Sequence, residues 1–96
     1  MPYARKIVLD CPDGQRAPLD DMVAQFLRDG VIFVGVVGED CARIEDMIDA
    51  LVVGDGSDPD RFILTSSHPG ETLEEVVAFA SVLTGDYAGP VQVVAL

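Results

Sequence analysis

The run Val31-Ile32-Phe33-Val34-Gly35-Val36-Val37 carries no polar side chain and stops at Gly38. A strand with one wet face alternates apolar and polar residues, whereas a strand buried on both faces does not. This run therefore reads as the central strand of a parallel sheet covered by helices on each side. The flanking sequence supplies those helices. Upstream, a helix starts at Pro18 or Asp20 and puts Leu19, Met22, Val23, Phe26 and Leu27 on one apolar face, with Gly30 as its C-terminal cap. Downstream, Glu39 and Asp40 offer helix-start chemistry. Ile44, Met47, Ile48, Leu51 and Val52 then share a face, opposite Arg43, Glu45, Asp46 and Asp49, until Gly54.

The same alternation extends both ways. Lys6-Ile7-Val8-Leu9 is a short strand stopped by Asp10-Cys11-Pro12-Asp13-Gly14, and Arg61-Phe62-Ile63-Leu64-Thr65 is a third strand. Thr72 with Glu75 three residues on fits a capping box. The helix it opens turns Leu73, Val76, Val77, Ala80 and Leu83 inward and closes at Gly85. After the turn Tyr87-Ala88-Gly89-Pro90, Val91–Leu96 is the last strand. The order β-α-β-α-β-α-β predicts an α/β fold: a small four-stranded parallel, doubly wound sheet with right-handed crossovers, in three layers. The expected strand order is 2-1-3-4, which reverses the winding and puts helices on both faces. All 96 residues form one domain, and a chain of this length buries roughly 60–65% of its unfolded surface.

Charge narrows the function classes. Seventeen acidic residues face six basic ones, a net charge of −11. Neither nucleic acid nor an anionic membrane surface is expected as a partner, since both need lysine and arginine. A basic protein or a cationic ligand is compatible. The 49% hydrophobic content argues against disorder. Two cysteines, Cys11 and Cys41, make no disulfide framework. Ile7-Val8-Leu9 is too short for a signal-peptide core and no run reaches membrane-spanning length, so a cytoplasmic location is expected.

No cofactor or metal is expected either. The single histidine and two separated cysteines lack zinc spacing. Gly35 and Gly38 fit neither phosphate-cradling glycine pattern. The acidic loop 55–60 lacks the glycine and glutamate that a calcium-binding EF-hand loop requires. Asp10 and Asp13 resemble the paired aspartates of haloacid-dehalogenase phosphatases, but two residues separate them where that family has one, and the chain has no room for the family's lysine and acidic pair. A response-regulator receiver fits no better, since its phosphoacceptor aspartate and its lysine lack counterparts.

In open parallel sheets ligands bind beyond the carboxyl ends of the strands. Three loops leave that edge: 10–18, 38–40 and 66–71. With order 2-1-3-4, Asp10 and Cys11 would lie beside Ser66, Ser67 and His68. The candidate ligand-binding residues are therefore Asp10, Cys41, Ser66, Ser67, His68 and Glu71. His68 is either a base for a hydroxyl or thiol nucleophile or a loop histidine making one hydrogen bond. Cys41, in the first turn of the second helix, is activated by the helix dipole and opposed by Glu39 and Asp40. A buried, inert small residue is the alternative reading.

The stretches Gly38-Glu39-Asp40-Cys41-Ala42-Arg43-Ile44-Glu45-Asp46 and Thr65-Ser66-Ser67-His68-Pro69-Gly70-Glu71-Thr72-Leu73-Glu74-Glu75 resemble a small bacterial domain family of unknown function. The shared features are a glycine–acid–cysteine helix start after strand 2, a threonine-rich strand end, a histidine, and a Ser/Thr-Leu-Glu-Glu helix start. The resemblance runs from about Phe26 onward. It implies an α/β domain and brings no activity with it.

Two function classes follow. One is a non-enzymatic binding or regulatory module for a protein or small ligand at the C-terminal edge of the sheet. The other is a small hydrolase or transferase using His68 with Cys41, with Ser66 or Ser67, or with Asp10. A receiver-like domain that docks partners through an acidic face is a third. An apolar final strand at a sheet edge invites pairing with a second copy, so a homodimer is also expected.

Overall fold

The computed structural model describes residues 2–12, 18–54, 56–57 and 62–96. These residues form β1 (Lys6–Cys11), α1 (Leu19–Asp29), β2 (Phe33–Gly38), α2 (Cys41–Val53), β3 (Leu64–Ser67), α3 (Leu73–Ser81), a short 3-10 turn (Gly85–Tyr87) and β4 (Val91–Ala95). The sheet is entirely parallel. Residues 13–17 and most of the acidic loop 55–60 lie outside the described residues, as does Arg61.

The strand order is β3-β2-β1-β4, which corrects the expected 2-1-3-4. The chain steps twice in one direction, from β1 to β2 to β3, and then crosses back over the sheet to β4. Right-handed crossovers put helices that step one way on one face and the returning helix on the other. The core divides accordingly. Ile7, Leu9, Val34, Val36, Phe26, Ile44 and Ile48 pack on the α1/α2 side. Val8, Phe33, Val37, Val76 and Ala80 pack on the α3 side. The three-layer, doubly wound architecture therefore stands, with the winding reversed between β1 and β4. β2 separates β1 from β3, so Asp10 and Cys11 do not lie beside Ser66–His68.

Several boundaries also move. β1 runs on through Asp10 and Cys11, which pair with Val37 and Gly38 of β2. β3 starts three residues later than its apolar pattern predicts and takes in Ser66 and Ser67, which pair with Gly35 and Val36. Hydroxyl residues suit this position because β3 is an edge strand with incomplete cover. On the α2 side, Thr65 Oγ1 lies 2.9 Å from Glu45 Oε2 and also bonds Asp49 Oδ1. α3 begins with the predicted capping box: Thr72 Oγ1 accepts from the Glu75 N–H, and Glu75 Oε1 accepts from the Thr72 N–H. It ends at Ser81, with Val82 as cap, earlier than Gly85 would suggest.

One buried charge ties the layers together. Lys6 is only 1% exposed. It leaves β1 on the α3 side, and its Nζ donates to the carbonyls of Ala80 at 2.6 Å and Leu83 at 3.4 Å. A cation at the negative end of a helix satisfies carbonyls that have no partner within the helix. Among the described residues, no helix is long and apolar enough to cross a membrane.

Candidate functional site

The C-terminal edge of the sheet is shaped first by Gly38. Its φ is +111°, and a Cβ there would stand 2.3 Å from the Cys11 carbonyl oxygen. Only glycine lets the two backbones approach this closely. The Glu39 N–H then donates to that same carbonyl at 2.8 Å. Asp40 follows in the left-handed region, at φ 57°, and its side chain makes no cap bond to α2. Its carboxylate instead takes a 3.4 Å contact from Arg43. The sequence places helix-start acids at Glu39 and Asp40, yet the first turn of α2 contains no acid and no side-chain cap. The first N–H groups of a helix have no partner inside it.

A cleft of about 480 Å³ opens at this edge, lined by residues 38–43 on one side and by Pro69 and Gly70 on the other. Cys41 belongs to that lining, yet its side chain is buried. Cys41 is 3% exposed and shares the α1/α2-side core with Cys11. Burial, then the neighbouring Asp10 and Cys41, push the Cys11 thiol from 9.0 up to about 11. A thiol so displaced stays protonated at neutral pH and is a poor nucleophile.

The β3–α3 connection carries the densest chemistry. Strand alternation turns Ser66 to the α3 side, opposite Gly35, and Ser67 to the α2 side. His68 is 6% exposed. Its Nε2 lies 2.7 Å from Ser66 Oγ and its Nδ1 lies 2.9 Å from Glu71 Oε2. A carboxylate only accepts, so Nδ1 carries the proton in the neutral ring and Nε2 accepts from the serine hydroxyl. The Phe79 ring of α3 stands 5.1 Å from the imidazole, centroid to centroid.

Of the residues singled out in the sequence, the structure brings Ser66, His68 and Glu71 into one hydrogen-bonded chain. Asp10 shares their face of the sheet, but continuing the register sets it two strand spacings from His68, roughly 10 Å. Ser67 faces away from the imidazole, and Cys41 sits in the other core. Phe79 and Lys6 were absent from the sequence-based set. Phe79 was accessible from helical spacing, three residues after Val76 and thus on the flank of the buried face. Lys6 gave no signal, because a lysine at a strand start reads as exposed. Among the described residues, no group of three His, Cys, Asp or Glu side chains is placed to hold a metal ion.

A family profile for a domain of unknown function (DUF7684) matches residues 2–96. No curated protein and no solved structure matches the chain.

Proposed function

The chain belongs to the DUF7684 family, and from that premise we propose that it is an acidic binding module whose partner is a basic protein segment met at the C-terminal edge of the sheet. The observation that carries this reading is the cleft between the start of α2 and the Pro69-Gly70 turn. Its rim presents the exposed side chains of Glu39 and Asp40, within a chain of net charge −11. Its wall includes the first turn of α2, where no side chain caps the backbone N–H groups. A lysine- or arginine-rich segment suits both features, since its cations meet the acids and its backbone carbonyls accept from the N–H groups. Charge of this kind speeds encounter and selects partners more than it adds affinity.

The test is an amide chemical-shift titration of the labelled protein with an octalysine peptide at low and at physiological salt. Shifts confined to residues 38–43 and 69–71, weakening with salt and with Glu39→Lys, are expected. Shifts spread evenly over the acidic surface, or insensitive to Glu39→Lys, would count against this edge as the docking site.

A further inference from the structure

We propose that Ser66, His68 and Glu71 form a nucleophile relay, making Ser66 Oγ reactive toward small apolar esters. The proposal rests on geometry separate from the cleft. A hydroxyl, an imidazole and a carboxylate are joined in series at 2.7 and 2.9 Å, in the order that general-base activation of a serine needs. Glu71 fixes the tautomer that leaves Nε2 free to take the serine proton. The imidazole is held under α3 by Phe79 and is nearly removed from water.

Two further features belong to such a site. The first is a donor for the developing oxyanion. The Leu64 N–H donates to the Ile32 carbonyl just before β2 at 3.0 Å, and the His68 N–H to the Val36 carbonyl of β2 at 2.9 Å. In a parallel ladder, alternate residues point their N–H groups to opposite sides. The Ser67 N–H, directly after the nucleophile, therefore points to the open edge of β3, free of sheet pairing. Backbone N–H groups at this position stabilise a tetrahedral oxyanion. The second is a place for the acyl group. Leu64 lies two residues before Ser66 on the same face and is 36% exposed, and Phe79 is 42% exposed. Phe33, paired with Leu64 in register, stands 6.1 Å from the Phe79 ring. These side chains make an apolar flank beside the hydroxyl, which α3 covers only in part.

The step balances without a co-reactant other than water. Ser66 Oγ adds to the ester carbonyl while its proton passes to His68 Nε2. The tetrahedral intermediate collapses, the bond to the alkoxy oxygen breaks, and His68 returns the proton to the departing alcohol. Water then hydrolyses the acyl-serine by the same route. His68 is the catalytic base, and Glu71 is a positioning residue that acts through it.

The experiment is labelling of the full chain with an alkyl fluorophosphonate, followed by peptide mapping, alongside hydrolysis of p-nitrophenyl acetate. Ser81, an exposed helical serine whose hydroxyl donates to the Val77 carbonyl, is the internal reference. The expected result is one adduct, at Ser66, absent in Ser66→Ala and at least ~100-fold slower in His68→Gln. Glu71 is exposed, so Glu71→Gln keeps the fold whatever happens to the His68 variant. It should slow labelling of Ser66, and the conservative Glu71→Asp, which keeps a carboxylate for Nδ1, should restore it, which loss of a merely structural contact would not do. Labelling of Ser66 no faster than of Ser81, or unchanged in His68→Gln and Glu71→Gln, overturns the proposal. Either result leaves the octalysine titration unaffected, so the two readings fail separately.

Discussion

Lys6 Nζ lies 2.6 Å from the carbonyl oxygen of Ala80, so a side chain from β1 closes the end of α3. The two residues are 74 positions apart in the chain. Replacing Lys6 by Met keeps most of the volume but takes the donor from the Leu83 carbonyl and leaves the Ala80 carbonyl with the Leu83 N–H at 3.3 Å. An unsatisfied buried acceptor costs about 1–3 kcal/mol. Urea unfolding of Lys6→Met should show a loss in that range, with the denaturant slope unchanged.

Alkaline pH should expose the buried thiol. Cys11 is pushed from 9.0 up to about 11 in the folded protein. Between those values the unfolded chain has released this proton and the folded chain has not, so stability falls as pH rises through that window and is unaffected by Cys11 below it. The full loss is about 2–3 kcal/mol at 1.36 kcal/mol per pKa unit. Urea midpoints measured from pH 8 to 11 should decline more steeply in the wild type than in Cys11→Ala.

Gly38 has no substitute. An alanine Cβ would meet the Cys11 carbonyl at 2.3 Å, and the backbone stands at φ +111°. The strained backbone and the clash together should lower stability by more than ~2 kcal/mol. Amide signals of Glu39 and Cys41 should move in the same variant, because the Glu39 N–H bonds that carbonyl.

Thr65 brings one hydroxyl proton to two carboxylates, those of Glu45 and Asp49. Removing the hydroxyl with Thr65→Val leaves the two acids facing an apolar group. A loss of about 1–2 kcal/mol is expected in thermal or urea unfolding, with Thr65→Ser close to the wild type.

Thr72→Ala should remove the capping box that starts α3. Caps of this kind contribute about 1 kcal/mol. Circular dichroism and unfolding should register a small loss of helix stability, with β1 and β2 unchanged.

The elements of this fold were legible because their patterns are local. Phe33–Val37 has no polar face, Ile44/Ile48/Val52 recurs at helical spacing, and Thr72 with Glu75 announces a helix start that the hydrogen bonds reproduce. Strand order was not legible, because a right-handed crossover places its helix correctly whichever way the chain steps. Where β3 falls depends on packing summed over the whole sheet. Ser66 and Ser67 read as loop because hydroxyls carry no apolar pattern, and their pairing with Gly35 and Val36 is decided by β2. His68 and Glu71 stood in one candidate set, but the turn that folds Glu71 back onto the imidazole passes through Gly70 at φ 76°, a conformation that spacing alone does not specify. Asp10 entered the set through the assumed strand order and lies elsewhere for the same reason.

Among the described residues, β3 pairs with β2 from Phe33↔Leu64 to Val36↔Ser67 and has no strand on its outer side. Peeling it away would leave the β1–β2 and β1–β4 ladders whole. Free energies of local opening run from near zero to the global value, and an edge strand sits at the low end. The amides of β3 should therefore exchange with solvent well before those of β1. Ser66, His68 and the wall of the cleft at Pro69-Gly70 would then loosen together, as one cooperative unit, while the rest of the domain stays folded.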